Sequence, residues 1–232
     1  MKIAVVIATY FRPDGRSGDF LRRCLTSIKD QSHKNYKVFL IGDKYEKKEE
    51  FISISESIID KENIYYENLD YAKERDVYLE DPEKLWCSGG VNAINHGIDR
   101  AISEGYEYIC HLDHDDYWMS NHLSEISKFI DQNPEEYVFL ATYCNYLNLY
   151  RVPAHSYPGE YFPVEGDLTH SATCVNFSKI DLRYRDVNEE TGNPFPADAD
   201  LWIRLSEHMR SHNLKGFLLN FMTVVLDKVE TE

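Results

Sequence analysis

Residues 3–8 form an unbroken apolar run rich in isoleucine and valine, closed by Thr9-Tyr10 and an Arg12-Pro13-Asp14-Gly15 turn. A run with no polar face reads as a strand buried on both sides, and such a strand requires helices above and below its sheet. The sequence supplies the first directly. Phe20, Leu21, Cys24, Leu25 and Ile28 repeat at helical spacing, with Asp19 placed to cap them, and Val38-Phe39-Leu40-Ile41 is a second buried strand ending at Gly42-Asp43. Strand, amphipathic helix and strand make a βαβ unit, with parallel strands and a right-handed crossover. The predicted class is α/β with a mostly parallel central sheet flanked by helices.

The alternation continues along the chain. A helix is expected over 46–60 with Phe51, Ile54 and Ile58 on one face, then a short strand near Ile64-Tyr65-Tyr66. Residues 67–86 are polar and poorly periodic and read as a loop or short helix before Gly89-Gly90. Ile94, Ile98, Ala101 and Ile102 mark a helix over 91–103, and Tyr108–Leu112 is a strand that delivers Asp113 at its carboxyl end, where open α/β sheets bind ligands. Ser120 is placed to cap a helix carrying Leu123, Ile126, Phe129 and Ile130. Beyond it the β content rises: strands are expected over 137–143, 145–150 and 171–177, an aromatic loop over 151–168, a helix from about Asp198, and a strand over 216–226. The 232 residues suit one domain.

Charge narrows the function. Twenty-five basic residues against forty acidic ones leave a net charge of −15, a field that repels nucleic acid and anionic lipid. An acidic chain that binds a nucleoside diphosphate must neutralise it locally, with a cation or backbone N–H groups. The five cysteines are scattered and odd in number, which suggests neither a disulfide framework nor a zinc site and fits a reducing compartment. The apolar N-terminal run is too short for a membrane span, so the expectation is a cytoplasmic protein.

Four constellations carry chemistry. In Asp113-His114-Asp115-Asp116-Tyr117-Trp118, three carboxylates fall within four positions at a strand end. Mutual repulsion favours a hard divalent cation bound among them, with Asp113 and Asp115 as candidate ligands. Thr9, Tyr10 and Arg12 share a crevice with Asp43 if the first two strands are adjacent and parallel, an arrangement that suits a nucleoside. Gly89-Gly90 opens a helix carrying Asn95, a weak anion-binding signal placed on the cofactor side. Finally, Asp198 and Asp200 begin a helix; dipole complementation accounts for Asp200, while Asp198 is placed as a general base. His114 has no evident role, and His170 reads as structural.

In this order the four resemble glycosyltransferase family 2, inverting enzymes of the GT-A fold. Ile7–Pro13 and Leu21–Ile28 are similar to the family's opening strand and helix, Gln31–Tyr36 to the turn that follows, Asp115–Met119 to the segment after its metal motif, and Asp198–Leu205 to the stretch carrying its base. The resemblance implies a Rossmann-like domain over 1–232, with residues 1–116 binding a nucleotide-sugar donor and 117–232 forming a smaller, β-rich part with the acceptor site and base. It further implies nucleoside contacts from Thr9, Tyr10 and Asp43, a ribose or metal-water contact from Asp113, direct coordination of Mn²⁺ or Mg²⁺ by Asp115, and proton abstraction by Asp198 from a glycan or other hydroxyl-bearing acceptor.

Gly42 stands where the family usually has an aspartate, Phe11 where asparagine is common, and Ala197 where an acid precedes the base. No Gln-x-x-Arg-Trp sequence occurs, which points to a non-processive enzyme. A sugar nucleotidyltransferase would need a glycine-rich loop where Thr9-Tyr10-Phe11-Arg12 stands. The alternatives left open are a non-catalytic nucleotide-sugar or carbohydrate-binding relative and a retaining transferase. Acceptor choice is expected in the loop around Tyr157, Tyr161 and Phe162.

Overall fold

Alternate residues of the first strand bury on opposite faces, and the two sets of helices follow from that. The structure, a computed structural model, describes residues 1–134, 136–147 and 150–226. Its first half runs β1 (Ile3–Thr9), α1 (Ser17–Lys29), β2 (Tyr36–Gly42), α2 (Lys48–Ile58), β3 (Ile64–Asn68), α3 (Lys73–Val77), α4 (Pro82–Ser88), α5 (Val91–Ser103) and β4 (Tyr108–His111). Its second half runs β5 (Asp116–Trp118), α6 (His122–Gln132), β6 (Tyr137–Tyr146), β7 (Tyr150–Val152), β8 (Gly159–Glu160), β9 (Thr173–Asn176), α7 (Val187–Thr191), α8 (Ala197–Ser211) and β10 (Lys215–Leu226). Ile3, Val5 and Ile7 pack with Leu21 and Leu25 of α1, Phe51 of α2 and Ile126 of α6. Ala4 and Val6 pack with Ile98 of α5 and Trp202 and Leu205 of α8.

All strands belong to one mixed sheet in the order β3-β2-β1-β4-β9-β6-β10-β5, with β7 on β6 and β8 on β10. The β3-β2-β1-β4 half is parallel, as expected. β1 and β2 pair from Ile3↔Tyr36 to Thr9↔Gly42, so their carboxyl ends are level and Asp43 emerges beside Thr9. The β-rich half begins at β9, antiparallel to both β4 and β6. Among the described residues no helix is long and apolar enough to cross a membrane.

Several local expectations are corrected. α1 starts two residues before Asp19, which sits in its first turn and does not cap it, and α6 starts after Asn121, not Ser120. Neither helix has a side-chain cap; in α6 the Leu123 N–H donates instead to the buried Gln31 amide at 2.9 Å. Residues 67–86 hold α3 and the start of α4. β6 continues through residue 146, and the strand expected over 145–150 includes residues 148 and 149, which lie outside the described residues. Tyr161 and Phe162 of the aromatic loop do not face the site. β8 pairs with Phe217 and Leu218 near the start of β10, and the Tyr161 N–H donates to Gly216. Because β10 and β6 run in the same sense as β4, that end is opposite Asp113. Tyr161 donates its hydroxyl to Asp167, and Phe162 lies under Arg210, so both complete this far end.

α5 lies against β1 and β2 at its Gly97, where a Cβ would come within 2.7 Å of Val6 Cγ1 and 3.2 Å of Ile41 Cγ1. Gly97→Ala is therefore expected to lower unfolding free energy by about 1–3 kcal/mol through overpacking, despite alanine's better helix propensity, as measured by chemical denaturation.

Candidate active site

The carboxyl ends of β1, β2 and β4 open into a crevice of about 560 Å³. Thr9, Tyr10 and Arg12 line it from the end of β1, Asp43 from β2, and Asp113, His114 and Asp115 from β4; Phe20 of α1, Arg75 of α3 and Trp86 of α4 complete the walls. Of the predicted donor-side and metal residues, all but Asn95 line this one cavity.

Asp43 is fully buried. Arg75 Nε donates to its Oδ2 at 3.0 Å, and its Oδ1 has no hydrogen-bond partner. Burial raises the Asp43 pKa above its ordinary value, opposed by the Arg75 charge and hydrogen bond. The Thr9 hydroxyl beside it is likewise buried and unpartnered. Two orphaned acceptors at one cavity wall are the mark of a place where a polar ligand completes the bonding. Arg75 also lies 5.1 Å from the Tyr10 ring centroid. The turn after β2 is held by Asn68, which bonds both the N–H and the carbonyl of Tyr45. A Cβ at position 42 would come 2.5 Å from Asn68 Oδ1, which explains glycine there.

The acidic run is held apart by different partners. The Asp113 backbone N–H donates to Ser171 Oγ at 3.0 Å, and the Ser171 hydroxyl donates to buried Asp116 at 2.6 Å. Trp118 Nε1 donates to the Ser171 carbonyl at 2.8 Å, so one serine ties the whole segment to the start of β9. Asp113 Oδ1 is 3.2 Å from His170 Nδ1, and Asp115 Oδ2 is 3.6 Å from an Arg12 nitrogen. His170, read as structural from sequence, thus touches a predicted site residue. His114 is buried edge-on against Tyr10 at 5.4 Å, and burial lowers its pKa, so it is a neutral packing element of the crevice floor.

A metal fits the donor set in one way only. Among the described residues no three His, Cys, Asp or Glu side chains group to hold an ion by themselves. Two crevice carboxylates, Asp113 and Asp115, match the usual habit of Mg²⁺ and Mn²⁺ at phosphates, in which one or two carboxylates and the substrate's own oxygens share the ion.

Three expectations change. Asn95 bonds the Tyr184 backbone on both sides, accepting from its N–H at 3.0 Å and donating to its carbonyl at 2.7 Å, so its side chain is committed to holding Tyr184. At the α5 N-terminus, where Gly89 and Gly90 line the crevice, the Asn92 N–H is already taken by buried Glu74 at 3.3 Å. Asp200 does more than offset a helix dipole, since it takes Arg185 at 2.7 and 2.9 Å and Arg204 at 2.7 Å. Asp198, by contrast, is half-buried in the first turn of α8, accepts from the Ala199 N–H, and is not among the residues that line the crevice. Tyr184 is buried with its ring against His111 and His170; burial raises its phenol pKa first, and the charges of Asp198 and Asp113 raise it further. Sequence reasoning missed Arg75, Tyr184 and Trp86, which lie in stretches without periodic pattern.

This fold and crevice define a glycosyltransferase of the GT-A type. The chain matches the family model for glycosyl transferase family 2 over residues 4–192, and it belongs to that family. It is 31% identical over 221 residues to an uncharacterised glycosyltransferase of Acanthamoeba polyphaga mimivirus, covering 91% of this chain and 88% of the relative. Its fold is similar to that of S. aureus TarS 1–349 in complex with UDP, with a TM-score of 0.67 at 14% identity over 97% of this chain. The chain spans 60% of that structure. A mannosyltransferase from Pyrobaculum calidifontis, in complex with GDP-Man and Mn²⁺, gives a TM-score of 0.57 at 10% identity, with 97% of this chain and 56% of that one covered.

If Asp43 receives a base N–H, nucleotide affinity depends on its ionised form. Its raised pKa means that UDP or GDP affinity falls as pH drops toward that value from above, earlier than for an ordinary carboxylate. Isothermal titration across pH should show this loss in the wild type, and Asp43→Asn should be weak and flat over the same range.

Proposed function

We propose that the chain transfers a sugar from a nucleoside-diphosphate sugar to an acceptor hydroxyl in single additions, with inversion at the anomeric carbon and with Mn²⁺ or Mg²⁺ bound. The observation that carries this reading is that one crevice joins the unpartnered Thr9 hydroxyl and Asp43 Oδ1 at one wall to Asp113 and Asp115 at another. The first pair suits a nucleoside and the second a cation shared with a diphosphate. That a related fold holds UDP and another GDP-Man with Mn²⁺ is consistent with it.

In this reading residues 1–116 bind the donor and residues 117–232 supply the base and most of the acceptor side. Asp43 Oδ1 accepts from the base, and Arg12 offsets charge beside Asp115. A bound divalent ion would act as a Lewis acid on the departing diphosphate. Asp198 takes the proton of the acceptor hydroxyl as its oxygen bonds to the anomeric carbon. The bond from that carbon to the β-phosphate oxygen breaks, and its electron pair leaves with the diphosphate. One displacement inverts the centre. Asn95 clamps the Tyr184 backbone, and the Tyr184 ring packs against His170, the partner of Asp113. The lack of Gln-x-x-Arg-Trp supports single addition, and five cysteines that are all buried and free support a cytoplasmic location.

Two variants test the assignment. With UDP or GDP, Mn²⁺ should raise the melting temperature of the wild type and not that of Asp115→Ala; equal shifts in both would remove Asp115 from the metal site. Asp198→Asn should keep the nucleotide shift but lose about 10²–10⁴ in kcat in a transfer assay, the usual contribution of a general base.

A further inference from the structure

The chain has three tryptophans, and their burial differs sharply: Trp118 is 3% exposed, Trp202 is 1% exposed and Trp86 is 76% exposed. An indole left in water is a costly exception in a folded chain and commonly marks a binding surface. Trp86 also lines the donor crevice, above Pro82 and Leu85 of the same helix.

We infer that the open face of Trp86 is the platform on which an uncharged pyranose ring of the acceptor stacks. The inference rests on the transferase reading above and adds the acceptor's position and chemistry to it. Position comes first. The nucleoside wall is at Thr9 and Asp43 and the metal wall at Asp113 and Asp115, whereas α4 stands toward the base. Lys84 of α4 accepts a hydrogen bond from Asn188 of α7 at 3.0 Å, just ahead of α8. Cys87, the next residue after Trp86, has its thiol pKa raised by burial and then by the charges of Glu83 and Asp198. Trp86 is therefore on the side of the donor crevice that packs against α7, the segment leading into α8 and Asp198, from which in this reading the acceptor hydroxyl arrives.

Chemistry follows from the same segment. A pyranose offers an apolar C–H face to an indole and keeps its hydroxyls at the edge, so it can stack on Trp86 while one hydroxyl turns to Asp198. Glu80 and Glu83 stand exposed on the same stretch, and with a net charge of −15 they disfavour an anionic acceptor. A neutral saccharide meets no such penalty.

Acrylamide quenching of intrinsic fluorescence reads Trp86 alone, because the other two indoles are buried. Neutral trisaccharides of gluco, galacto, manno and N-acetylglucosamine configuration are titrated into the protein, with and without UDP or GDP and Mn²⁺. Loss of the quenchable component on adding one of them, and not with nucleotide and metal alone, is the expected result. With the protecting saccharide as acceptor, Trp86→Ala should raise its KM by up to about ten-fold, and Trp86→Phe should recover most of that. Full protection by nucleotide and metal alone would overturn the inference, since Trp86 would then cover the donor. So would an absence of protection by all four saccharides in both arms. Melting temperature measured on the same samples separates the two levels: a nucleotide shift without saccharide protection removes the Trp86 platform and leaves the donor reading standing. No nucleotide shift removes the donor reading, while the nucleotide-free arm still reads Trp86.

Discussion

Asp113, Asp115 and Asp116 crowd the end of β4, and their mutual repulsion is the constraint around which the top of the sheet is arranged. Two like charges about 4 Å apart repel by roughly 4 kcal/mol at an effective dielectric of 20. The fold disperses this by giving each carboxylate a different environment. Asp116 turns inward to the Ser171 hydroxyl, Asp113 meets His170, and Asp115 lies beside Arg12. Ser171 also receives the Asp113 N–H and the Trp118 indole, so the segment cannot relax outward without breaking several bonds at once. Two carboxylates remain facing the crevice, which is the arrangement a shared cation and diphosphate require.

That solution depends on the change of strand direction at β9. β4 pairs with β1 on one side and antiparallel β9 on the other, so the 3-residue turn at His170–Ala172, ahead of β9, arrives beside Asp113. A continued parallel sheet would have placed a strand's carboxyl end there instead. The same change starts the half of the sheet against which α8, the helix that carries Asp198, packs. Tyr184 bridges the two halves: Asn95 of α5 clamps its backbone, and its phenol senses Asp113 and Asp198 together. α5 and the chain that leads to α8 are therefore tied together by packing and hydrogen bonds.

Glu74 and Asp200 show how acidic residues outside the crevice serve the fold. Glu74 is buried against the Asn92 N–H, replacing an outside anion at the start of α5. Asp200 gathers Arg185 and Arg204 and so fixes the approach to α8 beside Asp198. With Ala197 opening α8, this ion cluster is what stands next to Asp198.

The parallel half of the sheet, α1, α5 and the placement of Asp113 at a strand end were legible in the sequence, because hydrophobic periodicity is local and both faces of those strands are buried. Thr9, Asp43 and Asp115 followed, since level parallel strands must bring their carboxyl ends together. What the linear pattern could not carry was any partnership between distant stretches. Arg75 looks like one more charge in a polar segment until α3 sets it against Asp43, 32 residues away. Asn95 and Tyr184 are 89 residues apart, and the three-residue β5 is too short to leave a periodic signal. The aromatic loop at 157–162 looked suited to a sugar by composition, yet strand direction put Tyr161 and Phe162 at the far end. The sequence by itself thus determined the parallel half of the sheet and the acidic run at the carboxyl end of β4. Only the tertiary structure decided which charge neutralises which and which indole stays in water, because burial and ion pairing depend on distance in space.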